Sequence, residues 1–213
     1  MGIFSIFSSV VGPVIRVLDL GGMLSAVAKL LEVGGKVLNA ASKALTTFAK
    51  ELGLIETEEA AELGTKVIQA EEEGIKPENY EKFADYVKDI EKFEIDEEKA
   101  KDISEEDKLI AGTAVAIKAI EDKFPEQEVE NLIEGAVLKP AYFENDDRFK
   151  ELAKIVGDDS DKLTAIGKIL SGAEMDDDEY YDTLDMITAA EAAAFPELDG
   201  EEVRKRVDDL LRS

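Results

Sequence analysis

The sequence predicts an all-α protein, an irregular multi-helix bundle built from helical hairpins and led by a long amphipathic N-terminal helix. Three observations carry that expectation. Apolar residues recur at three- and four-residue spacing along most of the 213-residue chain, which is the period of one helix face. No run of alternating β-branched and aromatic residues reads as a strand. Of the five prolines, Pro77, Pro125 and Pro196 each stand before a glutamate at a point where one apolar period stops and another starts.

The elements follow in chain order. Residues 1–15 carry no charged side chain, and Ile3, Phe4, Ile6, Phe7, Val10 and Val11 make them a candidate membrane contact. Arg16 and Asp19 end the stretch short of the roughly 20 apolar residues that span a hydrocarbon core, so no transmembrane helix is expected. No basic cluster precedes the apolar run, as a secretory signal would require, and Ile6 stands where a myristoylation signal needs Ser or Thr. From Leu24 the period sharpens. Leu24, Val27, Leu31, Gly34, Leu38, Ala41, Leu45, Phe48 and Leu52 step by three and four residues and form one contact seam. Each large member is worth roughly 1.5–3 kcal/mol when buried, so the seam needs a cover. The cover is the chain's own core, identical helices of an oligomer, or a membrane interface, and spacing alone does not choose among them.

Charge divides the chain into two parts. Residues 1–55 hold five basic and three acidic side chains, whereas 56–213 carry a net −27 within a whole-chain charge of −25. The expected organisation is an apolar, glycine-rich helical segment over 1–55, for membrane or assembly contact, and an acidic helical domain over 56–213. A body so acidic repels phosphate backbones, so direct nucleic-acid binding is not expected. Basic protein partners, or further copies of the chain, are the natural expectation.

Within the acidic part, Thr57-Glu58-Glu59 and Ser104-Glu105-Glu106-Asp107 read as helix caps followed by first-turn acids. Leu109, Ala116, Ile117, Ile120 and Phe124 then share a face. Later faces are Phe149-Leu152-Ala153-Val156, Leu163-Ile166-Leu170, Tyr180-Leu184-Ile187 and Val203-Val207-Leu210. A repeat underlies them. A shift of 48 aligns Gly64 with Gly112, Thr65 with Thr113, Val67 with Val115 and Pro77 with Pro125. A shift of 71 aligns Asp107 with Asp178, Ala119 with Ala190 and Phe124-Pro125-Glu126 with Phe195-Pro196-Glu197. Three degenerate hairpins result, over 57–93, 104–139 and 176–212. The extra segment at about 146–171 makes an irregular bundle a better expectation than a regular solenoid.

Catalytic and metal chemistry find little to work with. The chain has no histidine and no cysteine, which removes His-based triads, thiolate nucleophiles and thiolate metal sites. Gly34-Gly35-Lys36-Val37 lacks both the leading glycine and the Ser or Thr of a phosphate-binding loop. Asp178-Glu179-x-x-Asp182 has the look of an isoprenoid-diphosphate aspartate motif, but no second motif or basic diphosphate ligands accompany it. Gly157-Asp158-Asp159-Ser160-Asp161 fails as a calcium loop because Leu163 and Ile169 stand where Gly and Glu are needed. A non-enzymatic protein without cofactor or metal is therefore expected.

The Gly/Ser/Phe-rich apolar opening, with the small-residue helix after it, resembles the starts of phage internal virion and DNA-ejection proteins. That resemblance implies a structural or assembly role, with a virion or a cytoplasmic, membrane-peripheral setting favoured over secretion. Two other readings stay open. One is an acidic regulatory module, or nucleic-acid mimic, that occupies a basic groove; the other is a membrane-active effector.

Overall fold

A computed structural model describes residues 30, 35–57 and 59–212, with all their side chains except those of 126–128. The contact seam therefore enters the described residues at Leu38. Leu24, Val27 and Leu31, and the candidate membrane residues Ile3, Phe4, Ile6, Phe7, Val10 and Val11, lie outside them.

The hub is α1, Gly35–Glu51. Leu38, Ala41, Leu45 and Phe48 of the seam are buried on it, and Leu52 just beyond is half-buried. Burial extends well past the seam, to Ser42, Ala44, Thr46, Thr47 and Ala49. Small side chains permit this, because they let neighbouring helices approach from several directions. Lys36, Lys43 and Lys50, spaced by seven residues, mark the strip that stays toward solvent. The other helices gather round this hub. They are α2 (Ala60–Glu72), α3 (Phe83–Glu91), α4 (Glu97–Ala100), α5 (Glu105–Lys123), α6 (Glu126–Leu138), α7 (Pro140–Phe143), α8 (Asp146–Val156), α9 (Ser160–Ser171), α10 (Asp177–Ala194) and α11 (Gly200–Arg212). The described residues form an all-α bundle with no strand, and α1 packs on α2, α5, α6, α7 and α8. The change of charge near residue 55 is thus not a packing boundary. What covers the described part of the seam is the chain's own acidic helices.

The tightest crossing joins α2 to α5, and the repeat explains its form. A Cβ built on Gly64 would lie 1.8 Å from the Lys108 carbonyl oxygen, and one on Gly112 would lie 1.8 Å from that of Ala60. Each glycine meets the carbonyl four residues before the other, so the two aligned positions sit across a local two-fold axis. The hydroxyls of Thr65 and Thr113 also behave alike, donating to Ala61 O at 2.7 Å and Leu109 O at 2.6 Å. Removing both Cβ atoms brings backbone against backbone, where Cα–H groups face carbonyls. A second close approach seats Gly135 of α6 on Leu170 of α9.

Caps set most helix starts. Ser104 Oγ accepts from Asp107 N at 3.1 Å, as the sequence suggests. Thr57 does not cap α2. Its backbone N–H donates to Glu91 Oε1 at 3.0 Å and its hydroxyl to Glu91 Oε2, so α2 begins later, at Ala60, without a side-chain cap. In the first hairpin Pro77 opens only a 3-10 turn, Pro77–Asn79, and the second helix waits until Phe83. In the third, Pro196 precedes a loop that ends in a reciprocal cap. Asp199 Oδ1 accepts from Glu202 N at 2.9 Å, while Glu202 Oε2 accepts from Asp199 N at 3.0 Å.

Candidate functional site

The C-terminal pair α10 and α11 carries the features that stand apart from ordinary bundle packing. α10 starts at an aspartate cap, Asp176 Oδ1 accepting from Glu179 N at 2.8 Å. Its inner face presents Thr183, Ile187, Ala190 and Glu191 to α8 and α9. Glu191 is fully buried, and this acid is expensive to bury unless cations meet it. Two do. The Arg148 guanidinium on α8 grips both oxygens, Nε on Oε2 and Nη2 on Oε1 at 3.1 Å, and Nη1 donates to the Tyr142 carbonyl. The Nε of Arg206 on α11 reaches Glu191 Oε1 at 2.5 Å. Arg148 is itself buried and lies 4.5 Å from the Tyr142 ring centroid; the Arg206 guanidinium stacks 3.8 Å over Phe195. This triad ties α8, α10 and α11 together through one carboxylate.

The outer face of α10 is different in kind. From residue 169 to 203 the sequence holds twelve acidic side chains and no basic one. Asp177, Asp178, Asp182 and Asp185 are exposed and have no ion-pair partner among the described residues. Elsewhere the acids commonly pair along their own helix, as Asp85 does with Lys88 at 2.9 Å and Glu151 with Lys154 at 2.6 Å. Tyr180 and Tyr181 stand among the unpaired aspartates, 39% and 64% exposed, with ring centroids 5.6 Å apart in an edge-to-face contact. Tyr180, read from spacing as part of an apolar face, lies toward solvent instead, because Thr183 and Ile187 supply the inward turn.

The other motif residues resolve into structure. Glu179 pairs with Lys168 at 2.8 Å and Asp176 caps the helix, so the Asp178–Asp182 run is a helix start. Asp159 caps α9, accepting from Lys162 N at 3.3 Å, while Asp158 pairs with Lys123 at 2.6 Å. No grouping of three acidic side chains able to hold a metal occurs among the described residues. No helix among them is long and apolar enough to cross a membrane.

Two concavities among the described residues are lined by both apolar and charged side chains. One, of about 230 Å³, lies between the loop after α1, α3 and the end of α5, with Leu54, Phe83 and Val87 in its wall and Lys88 and Lys123 at its edge. The other, of about 610 Å³, opens between α7, α8 and α11 beside the buried Arg148 and the partly exposed Arg206. Spacing arguments find neither, since each needs three separate segments. The basic-free stretch around α10, by contrast, is readable from residue types alone. No protein-family model, curated protein or solved structure matches the chain.

Proposed function

We propose that the protein is a non-enzymatic structural or assembly protein whose acidic helical body holds a basic protein surface through the outer face of α10. A phage virion is the setting to which its N-terminal opening points. One observation carries the reading: Asp177, Asp178, Asp182 and Asp185, exposed and without an ion-pair partner among the described residues, surround two exposed tyrosines on one helix face. Tyrosine is enriched where interfaces concentrate their binding energy, because it brings large contact area with little rotamer entropy. The aspartates attract a cationic partner over long range and the rings give it something to rest on, arginine best of all.

The test uses an arginine-rich helical peptide titrated into the full chain at two salt concentrations. Binding should weaken as salt rises. A chain carrying Asp178→Asn, Asp182→Asn, Asp185→Asn and Tyr181→Ala should bind at least about tenfold more weakly, a loss of ~1.4 kcal/mol. Equal binding by the two chains would move the contact elsewhere on the acidic surface. Absence of binding by the unaltered chain at low salt would end the basic-partner reading.

A further inference from the structure

The cleft between α7, α8 and α11 gathers charges of both signs, with Arg148, Lys205 and Arg206 facing the same space as Glu144, Glu202 and Asp209. Arg148 and Arg206 share one carboxylate, Glu191, at the cleft floor. Arg206 is the accessible member. Its Nε lies on Glu191 and its plane is fixed by Phe195 at 3.8 Å, while Nη1 and Nη2 make no hydrogen bond among the described residues. Fixing the plane removes much of the rotamer freedom that binding would otherwise cost. Two further donor groups border the same space. Asn145 caps α8 with its Oδ1, accepting from Arg148 N at 3.1 Å, which leaves its side-chain N–H groups unused among the described residues. Lys205 contributes an unpaired ammonium at the edge, and Arg148 closes the floor. The exposed carboxylates of Glu144, Asp209 and Glu202 border the same space, Glu202 being held by the Asp199 N–H at 3.0 Å.

We infer that this cleft seats the carboxylate of a small zwitterionic ligand, with the free fork of Arg206 holding the carboxylate and the rim acids Glu144 and Asp209 receiving the ligand's cation. A planar fork matches two carboxylate oxygens at once, a geometry lysine does not offer. The rim acids repel a doubly charged oxyanion such as phosphate and favour a ligand that brings its own positive charge. At about 610 Å³ the cleft accommodates a molecule of amino-acid to dipeptide size. This site is independent of the α10 outer face.

The experiment follows the arginine side-chain nitrogen resonances of the full chain during titration with free lysine, acetate or inorganic phosphate. Free lysine should shift Arg206 saturably, more tightly than acetate, with phosphate weakest. Arg206→Gln should weaken lysine binding by at least about tenfold, and Arg206→Lys should weaken it too although the charge is kept. Glu191 keeps Arg148 in both variants, so unchanged backbone amide spectra in α8 and α10 will show that the fold survives. The inference is overturned if Arg206 does not respond, or if it responds no more than the exposed Arg204 and Arg212, which would mark an adventitious ion only. It is overturned equally if acetate or phosphate binds as tightly as lysine.

Discussion

Two hydroxyls show how finely the core is matched. Tyr142 Oη and Thr47 Oγ1 are buried and have no hydrogen-bond partner among the described residues. A buried polar group left unpaired costs about 1–3 kcal/mol, more than a made hydrogen bond returns. The Tyr142 ring is otherwise well used, with edge contacts to Phe143 at 6.0 Å and Phe149 at 5.8 Å beside the Arg148 guanidinium. Tyr142→Phe keeps those contacts and removes the orphan, and Thr47→Val keeps the shape of the side chain. Each should raise unfolding stability by about 1 kcal/mol in urea titration. A pH signature separates this effect from simple repacking. Burial holds the Tyr142 phenol well above its ordinary value of 10.0, and burial does the same to Tyr86. Above pH 10.0 the unfolded chain gives up these protons while the folded chain keeps them. Stability is therefore complete below that pH and falls as pH rises past it. Tyr142→Phe should shrink the alkaline loss and leave the part due to Tyr86; an alkaline loss identical to that of the unaltered chain would refute the assignment.

Among the elements, the α2–α5 crossing is the most demanding. Alanine is a better helix former than glycine by about 1 kcal/mol, so Gly64→Ala and Gly112→Ala would stabilise free helices. Here the new methyl would press on the Lys108 or Ala60 carbonyl, which is backbone and has nowhere to move. The expected net effect is a loss of about 1–3 kcal/mol for each substitution, read from the urea midpoint. Gly135→Ala should cost less, since its nearest obstacle is the Leu170 Cβ at 2.6 Å and the α6–α9 pair can slide apart. A neutral Gly64→Ala would show that the two helices can part at this crossing without cost. This element was half legible in the sequence. Aligning Gly64-Thr65 with Gly112-Thr113 equates the two positions, and a symmetric crossing requires equivalent residues on both sides. Alignment could not say that they touch, because a repeat fixes likeness and not proximity. Thr57 shows the opposite limit. Its cap signal is local, whereas the carboxylate that claims it, Glu91, comes from 34 residues away.

At the scale of the whole molecule, the all-α class followed from periodicity alone, but the division of the chain did not. Lysines at seven-residue spacing on α1 look like one polar side of an amphipathic helix standing apart; three-dimensional packing surrounds the rest of that helix with α5, α6, α7 and α8. Charge composition reports where solvent lies, and it is blind to which helices exclude that solvent. The arginine cleft was illegible for a related reason, since Asn145, Arg148 and Arg206 come together only once α11 folds back against α10 and α7. Charge still governs the molecule's global behaviour. With a net −25, exposed carboxylates repel one another over distances comparable to the screening length, while the many exposed Lys–acid pairs return little, about 0–1 kcal/mol each. Raising salt from low to physiological should therefore increase the thermal midpoint. A stability resting mainly on surface pairs would give the opposite sign. The unpaired aspartates of α10 sharpen this prediction. Asp178→Asn, Asp182→Asn and Asp185→Asn together remove repulsion and no ion pair among the described residues, so the variant should melt higher than the unaltered chain at low salt and gain less from added salt. The same variant is expected to lose affinity for the arginine-rich peptide. A rise in stability coupled to a loss of binding is the pattern of a surface kept strained for a partner. If the variant were less stable at low salt, those aspartates would be structural after all, and the case for α10 as a docking helix would fall with them.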